Sequence, residues 1–425
     1  MSVVPVYEPD IFSDEALLDP YEHYRAIRDL GPVVWLEAQR VYILARYADV
    51  RAALADAETF RSGQGVGLND NVNQAGRGTT LMSDDEIHRE QRKLAFNELT
   101  PKALLGLRAA VEQAAVAVVD ELVARGRFDA VADLARVLPL SVVPDLVGWP
   151  RDGRAHLLDW ASASFDALGP DNARARQAAP RLGHMIEFAQ RTVAEGNLIP
   201  GSIGAGVLEA ARRGEISLER LPAIMIDYAA PSMDTTISAI GSAVWLLARH
   251  PEQWDDLRAN PGLMTRAFNE VVRMESPIRC FSRIATREVV VDGTVVPAGA
   301  RVTLHYASAN RDERYWTRPD EFDIHRPRAG THLGFGHGTH NCPGQGLARL
   351  EGHALLGALV ARVDRITIGT PTRAMNNIIN AFATLPVAVT PGAGPAVNAT
   401  ASCPAGREDQ QFSVVPVGPE GGPRH

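Results

Sequence analysis

Phe335-Gly336-His337-Gly338-Thr339-His340-Asn341-Cys342-Pro343-Gly344 leads directly into Gln345-Gly346-Leu347-Ala348-Arg349-Leu350-Glu351. Three glycines and one cysteine fall in the first ten of these residues, and the rest reads as the start of a helix. Glycine lets backbone turn tightly and approach a flat ligand, while a helix N-terminus stabilises negative charge on sulfur. Phe335 can cover that sulfur, and the loop N–H groups can donate to it and tune it. Such a string suits a thiolate brought to a buried metal. The competing reading is an inert buried cysteine beside a glycine-rich turn.

Bulk properties bound the setting. The 425 residues allow two or three domains or one large fold, and 45% hydrophobic content is enough for a sizeable core. A net charge of −8 argues against nucleic acid or an anionic membrane as the main partner. Cys280, Cys342 and Cys403 show no regular spacing, which fits a reducing cytoplasm rather than a disulfide framework. The stretch Met1–Asp10 lacks the basic and apolar regions of a signal peptide, and no run of about 18 apolar residues occurs. A cytoplasmic protein without membrane contact is expected.

Periodicity gives the outline. Helix is expected over Glu15–Asp29 and Tyr47–Phe60, with short strands over Pro32–Leu36 and Val41–Ala45. Ser62 to Gly78 reads as a long loop, and long loops in compact proteins tend to be lids or binding loops. Leu107, Val111, Ala114, Val118 and Leu122 keep helical spacing, with Gly126 as a stop. Further helices are expected over Leu138–Leu146, Ala179–Glu195, Leu218–His250 and Asn260–Met274, and strands over Val289–Val291, Val302–His305, Arg365–Ile368 and Leu385–Val389. One mostly helical domain over residues 11–392 follows, with an N-terminal extension at 1–10 and a flexible Pro/Gly/Ala-rich tail at 393–425.

Several constellations carry charge or hydroxyl groups. Glu270 and Arg273 share a helical face and can pair. The same spacing at Glu22/Arg25, Glu86/Arg89 and Glu209/Arg212 reads as ordinary solvated pairs. His88 and Arg92, four apart, also share a face. Asp234-Thr235 lies inside a long apolar helix, where a threonine commonly bonds back to a carbonyl one turn earlier. Pro231 precedes it. Proline lacks an N–H and clashes with the carbonyl four residues back, that of Asp227, so a kink is expected there.

The cysteine string as a whole resembles the haem-ligating loop of cytochrome P-450 monooxygenases. Glu270-Val271-Val272-Arg273, the His88/Arg92 helix and Asp234-Thr235 stand in the order that family shows, so the resemblance covers roughly residues 10 to 392. It implies a mainly α fold with a small β region, the triangular P-450 prism, with haem b buried between the long helix and the helix after the cysteine. Cys342 is then the axial thiolate ligand, with Phe335 and Gly344 shaping its loop. His88, Arg92, Arg283 and His340 match the donors for the haem propionates. Glu270, Arg273 and Arg326 match a buried structural triad. Asp234 and Thr235 match the acid-alcohol pair that delivers protons during oxygen activation. Where the family usually has Ala-Gly or Gly-Gly, this chain has Pro231-Ser232, and the proline is expected to open the groove that glycine opens elsewhere.

The resemblance also implies insertion of one oxygen atom of O2 into a C–H bond of a small to medium apolar substrate, as hydroxylation or O-dealkylation. Val66, Leu68, Ala230, Phe281 and Phe382 are the expected pocket residues. Gly63-Gln64-Gly65-Val66-Gly67-Leu68-Asn69-Asp70 is similar to the loop of bacterial enzymes that oxidise para-substituted aromatic acids, although only Arg61 and Arg77 lie in or beside it. No flavin, dinucleotide or iron–sulfur motif is present, so electrons are expected from an external ferredoxin and its reductase, docking near Arg89, Lys93 and Arg349. A monomer is expected. Two alternatives remain: a tailoring enzyme of natural-product biosynthesis that couples or closes rings, and a haem-thiolate sensor without turnover.

Overall fold

Helix Leu221–Arg249, 29 residues long, forms the axis of the molecule. From Met233 to Leu247 every side chain except Thr235 and Trp245 is buried, and a helix apolar around most of its circumference belongs in an interior. It packs against helices Val137–Val147, Leu157–Leu168, Ala173–Glu195, Met264–Glu275 and Gln345–Arg362. The computed structural model describes residues 3–96 and 99–392. The proposed tail at 393–425 lies outside the described residues.

Helix Pro101–Arg125 lies along Gln345–Arg362. Thr100 caps it by accepting from Ala103 N, and Gly126 ends it in the left-handed conformation at φ 69°, which glycine adopts without steric cost. A six-stranded mixed sheet stands beside the helices. Its order is Val6–Tyr7, Val34–Leu36, Val41–Leu44, Arg301–Leu304, Phe281–Ala285, Phe60–Arg61. A three-stranded sheet joins Val363–Ile368, Pro386–Pro391 and Arg127–Asp129, and two small hairpins complete the β portion. The apolar core divides accordingly, one cluster around the central helix and one around the six-stranded sheet.

The structure differs from the sequence expectations at identifiable places. Residues 3–10 are no separate extension, because Val6–Tyr7 pairs with Trp35–Leu36 in the sheet. The expected helix Glu15–Asp29 is two, Asp14–Leu18 and Tyr21–Leu30, divided at Asp19-Pro20 where proline removes a donor. The Ser62–Gly78 loop carries a short helix, Asp70–Ala75, capped by Asn69 Oδ1 accepting from Asn71 N. Helix Ile203–Arg212 is the least legible, since Gly204 and Gly206 weaken its signal. The central helix, where the sequence predicts a kink at Pro231, runs on as one helix through that residue. Among the described residues no helix is long and apolar enough to cross a membrane.

Candidate active site

Between the two core clusters lies an apolar cavity whose empty volume, counted out to its open mouth, is ≈ 1940 Å³. Cys342 lies on its floor with Gly334, Phe335, Gly336, His340 and Gly344, and the central helix forms the facing wall. The loop holds its shape by short backbone bonds. Cys342 N donates to Phe335 O at 2.7 Å, and Gly336 N donates to Leu333 O at 2.8 Å. Gly336 and Gly338 have φ of +69° and +70°, which makes glycine the residue of least strain at both. At Gly338 a Cβ would also lie 2.5 Å from Leu54 O.

Helix Gln345–Arg362 starts at Gly344 without a side-chain cap. Its first N–H groups, those of Gly344 and Gln345, are directed at the Cys342 sulfur. Burial pushes the thiol pKa up, while these two donors and the charges of Arg92 and Arg349 pull it down. A metal at the sulfur removes the proton outright, and the donor set already in place then holds the thiolate. Arg349 lies over the Phe335 ring at 4.7 Å and donates to Gln345 Oε1 at 2.8 Å, so it braces the same turn.

His88, Arg92, Arg283 and His340 all line this one cavity. The rings of His88 and His340 are 4.1 Å apart between centroids. Arg92 donates to Asn341 O at 2.9 Å and to Asn341 Oδ1 at 3.1 Å, tying its helix to the cysteine loop. Burial, followed by the charges of His340 and Arg92, lowers the His88 pKa to about 4. Four nitrogen donors gathered at one edge of a flat cavity are a suitable seat for two carboxylates. The thiolate geometry and this edge both fit a haem.

The sequence missed Asp84. It accepts from Gly63 N at 2.8 Å and Ser62 N at 3.1 Å, and its Oδ1 lies 3.6 Å from His340 Nε2. Burial opposes its charge, but the hydrogen bond from His340 and those two N–H donors outweigh it and lower its pKa to about 2. An aspartate just ahead of an amphipathic helix was the available signal, and it resembles an ordinary cap.

Glu270, Arg273 and Arg326 meet in the interior. Glu270 accepts from Arg273 Nε and Nη2 and from Arg326 Nε, each at 2.8 Å. Arg273 Nη1 also donates to Asn310 O at 2.8 Å. Asn310 Oδ1 in turn accepts from Leu333 N at 2.7 Å, two residues before Phe335. The triad therefore reaches the cysteine loop through Asn310, a residue with no sequence signal of its own.

On the central helix the acid-alcohol pair is divided. Thr235 lines the cavity, with its Oγ1 donating to Pro231 O at 2.6 Å. Asp234 is not part of the cavity wall. It is buried toward Ser162, with Oδ2 unpartnered, and burial raises its pKa to about 6. Adjacent helical residues point about 100° apart, and here Asp234 is directed at the Leu157–Leu168 helix while Thr235 faces the cavity. Pro231 and Ser232 line the wall together with Asp227, one turn earlier.

Of the expected pocket residues, Ala230 and Phe281 line the cavity. Val66, Leu68 and Phe382 do not. Val66 is 1% exposed within the sheet-side core and its carbonyl accepts from Ser282 N. Leu68 packs against that same core, while its N–H donates to Leu168 O at 2.8 Å. Phe382 is enclosed by Trp245, 5.4 Å between ring centroids, and by the Arg373 guanidinium at 4.0 Å. The walls come instead from residues such as Thr79, Leu81, Phe165 and Met185. On the far side of Cys342 a second groove is lined by Arg92, Arg108, Arg349, Arg362 and His353, with Glu112 as its one carboxylate among the described residues. Arg349 belongs to it. Arg89 is exposed and paired with Glu86, and Lys93 is exposed outside it.

Comparison with known proteins agrees with this geometry. The Cytochrome P450 family model matches residues 182–377. The chain is 41% identical over 397 residues to cytochrome P450 CYP199A2 of Rhodopseudomonas palustris, covering 91% of this chain and 95% of that protein. It is 32% identical to cytochrome P450 130 of Mycobacterium tuberculosis, covering 85% and 92%. Among solved structures, P450BioI in complex with an acyl carrier protein ligated to hexadec-9Z-enoic acid aligns with a TM-score of 0.79 at 25% identity, covering 88% and 100%.

Proposed function

The chain belongs to the cytochrome P450 family and is a haem b-dependent monooxygenase, and from that premise we propose that Cys342 is the axial thiolate ligand and that the substrate is a small to medium apolar molecule, including aromatics, hydroxylated or O-dealkylated with electrons from an external ferredoxin and its reductase. One observation carries the assignment: the Cys342 sulfur lies at the floor of an apolar cavity with the N–H groups of Gly344 and Gln345 directed at it.

When bound, the haem supplies oxygen binding and activation, with thiolate donation favouring O–O cleavage. The chain supplies the surroundings. His88, Arg92, Arg283 and His340 would receive the two propionates, and the Asp84 carboxylate beside His340 would hold it in place. Leu81, Phe165, Phe281 and Met185 exclude water and pack on the apolar body of the substrate. Thr235 offers a hydroxyl at the cavity wall. Asp234, buried behind it with its pKa raised by burial to about 6, serves as a proton reservoir on the side away from substrate. Overall, one oxygen atom enters a C–H bond, and two electrons and two protons convert the other to water. The cationic groove behind Cys342 suits an acidic ferredoxin.

The reduced, carbon monoxide-treated protein should show the thiolate-ligated band. Cys342→Ser should lose that band while keeping its helical circular dichroism. A serine variant that retains the band would overturn the assignment. Turnover of methoxy- and alkyl-aromatics with a surrogate ferredoxin and reductase tests the reaction class, and a full panel that gives no oxygenated product would refute it.

A further inference from the structure

Among the described residues one acidic residue lines the active-site cavity, and nothing in the reaction chemistry above uses it. Asp227 lines the cavity from the central helix, on the face shared by Ala230, Pro231 and Thr235. It lies eight residues before Thr235, about 12 Å along the helix axis at 1.5 Å per residue. The other charged residues on the described wall, His88, Arg92, Arg283 and His340, belong to the propionate edge. The rest of the wall carries no charge and is mostly apolar, with Leu182, Met185, Ile186 and Ile226 among its members and Thr79, Thr80, Tyr228 and Ser232 as neutral polar ones.

Asp227 forms no ion pair among the described residues. Its carboxylate is held by backbone donors instead, accepting from Thr80 N and Leu81 N just past the Ser62–Gly78 loop. It is deep in the protein yet keeps partial exposure, as a group opening onto a cavity does. Isolated carboxylates are costly to bury, and the usual remedy is an opposite charge.

We propose that Asp227 is the polar anchor of the substrate pocket and receives a protonated amino group at the end of the substrate remote from Cys342. Burial raises the carboxyl pKa to about 7, and a cation docked beside it favours the ionised form. The same carboxylate repels an acidic substrate. No arginine compensates, because Arg61 is committed to Asp84 and Asp85, and Arg77 is exposed and off the wall. The likeness of the Gly63–Asp70 loop to that of aromatic-acid oxidisers therefore does not extend to acid recognition. This inference rests on the monooxygenase reading and narrows its substrate class to apolar amines.

Spin-state titration of the holoenzyme with 4-methoxybenzylamine, 4-methoxybenzyl alcohol and 4-methoxybenzoate tests it on one carbon skeleton. The amine should bind about ten-fold or more tighter than the alcohol, and the acid weakest, as expected for a hydrogen bond between charged groups. Asp227→Asn should weaken the amine about ten-fold and leave the alcohol within about three-fold. Three results would overturn the anchor: an acid or alcohol that binds wild type as tightly as the amine, an unchanged ranking in the variant, or an amine spectrum showing nitrogen bound to iron. The wild-type ranking decides even if the variant fails to fold. A normal thiolate carbon monoxide band with any of these results refutes the anchor alone, whereas loss of that band in wild type refutes the monooxygenase reading.

Discussion

Glu351 shows how a single buried side chain can set a pH dependence without lining the catalytic cavity. It lies inside the helix that follows the cysteine, 0% exposed, with neither carboxylate oxygen partnered. Burial raises its pKa from 4.5 to about 8. The folded state therefore holds a proton that the unfolded chain releases. The associated stability is complete below pH 4.5 and is lost progressively as pH rises to about 8. Glu351→Gln does not titrate, so its stability relative to wild type should rise across that window by an amount on the order of several kcal/mol, then level off. Thermal unfolding of both holoproteins from pH 4 to 9 checks this, and parallel curves would refute it. Residue identity was legible here, but its consequence was not, because Glu351 continues a helix whose neighbours in sequence include Arg349 and His353. Only packing shows that it pairs with neither.

Individual elements carry the next level of constraint. Arg326 donates to Glu270 at 2.8 Å and to Arg318 O at 3.0 Å, so it closes the segment between the triad and the cysteine loop. Arg326→Ala should cost about 3–5 kcal/mol, read from the denaturant midpoint, since it breaks a buried ion network while leaving its acid inside. The central helix points the other way. Pro231 denies Asp227 O its i+4 N–H, yet the helix runs on without interruption. Pro231→Ala should restore that bond and raise stability by up to ~3 kcal/mol. It should also lower the fraction of NADH consumption coupled to product, because the cavity wall at Pro231–Ser232 closes toward a regular helix. Better coupling in the variant would contradict the role given to the proline. The sequence announced the triad through Glu-x-x-Arg and a downstream arginine. It could not announce Asn310, whose two contacts arise from segments 37 and 23 residues away.

At the scale of the whole molecule, the cavity and the cationic groove both border Cys342, and under the proposed function substrate and electron donor would not compete for a surface. Arg108→Glu, on the exposed part of the groove, should raise the KM for ferredoxin several-fold at low salt while leaving substrate affinity unchanged. The difference should fade above about 0.15 M salt, where the Debye length is about 8 Å. Steady-state reduction rates across a salt series measure it. An effect that is independent of salt would remove the electrostatic explanation.

By itself the sequence determined the family and the helical character of the core, and it singled out the thiolate candidate, the candidate propionate donors and the triad. Each of these depends on residues held close together by local spacing: a glycine turn before a helix, an i+3 ion pair, an i+4 His/Arg face. The tertiary structure decided which side chains see the cavity. It turned Asp234 toward the Leu157–Leu168 helix and Thr235 toward the cavity, a choice set by what packs on each side of the central helix. It enclosed Val66, Leu68 and Phe382 in the core and brought Thr80 onto Asp227 across 147 residues of chain. Facing is a property of how elements pack, and a chain read in one dimension carries the period of a helix but not the side on which its partner lies.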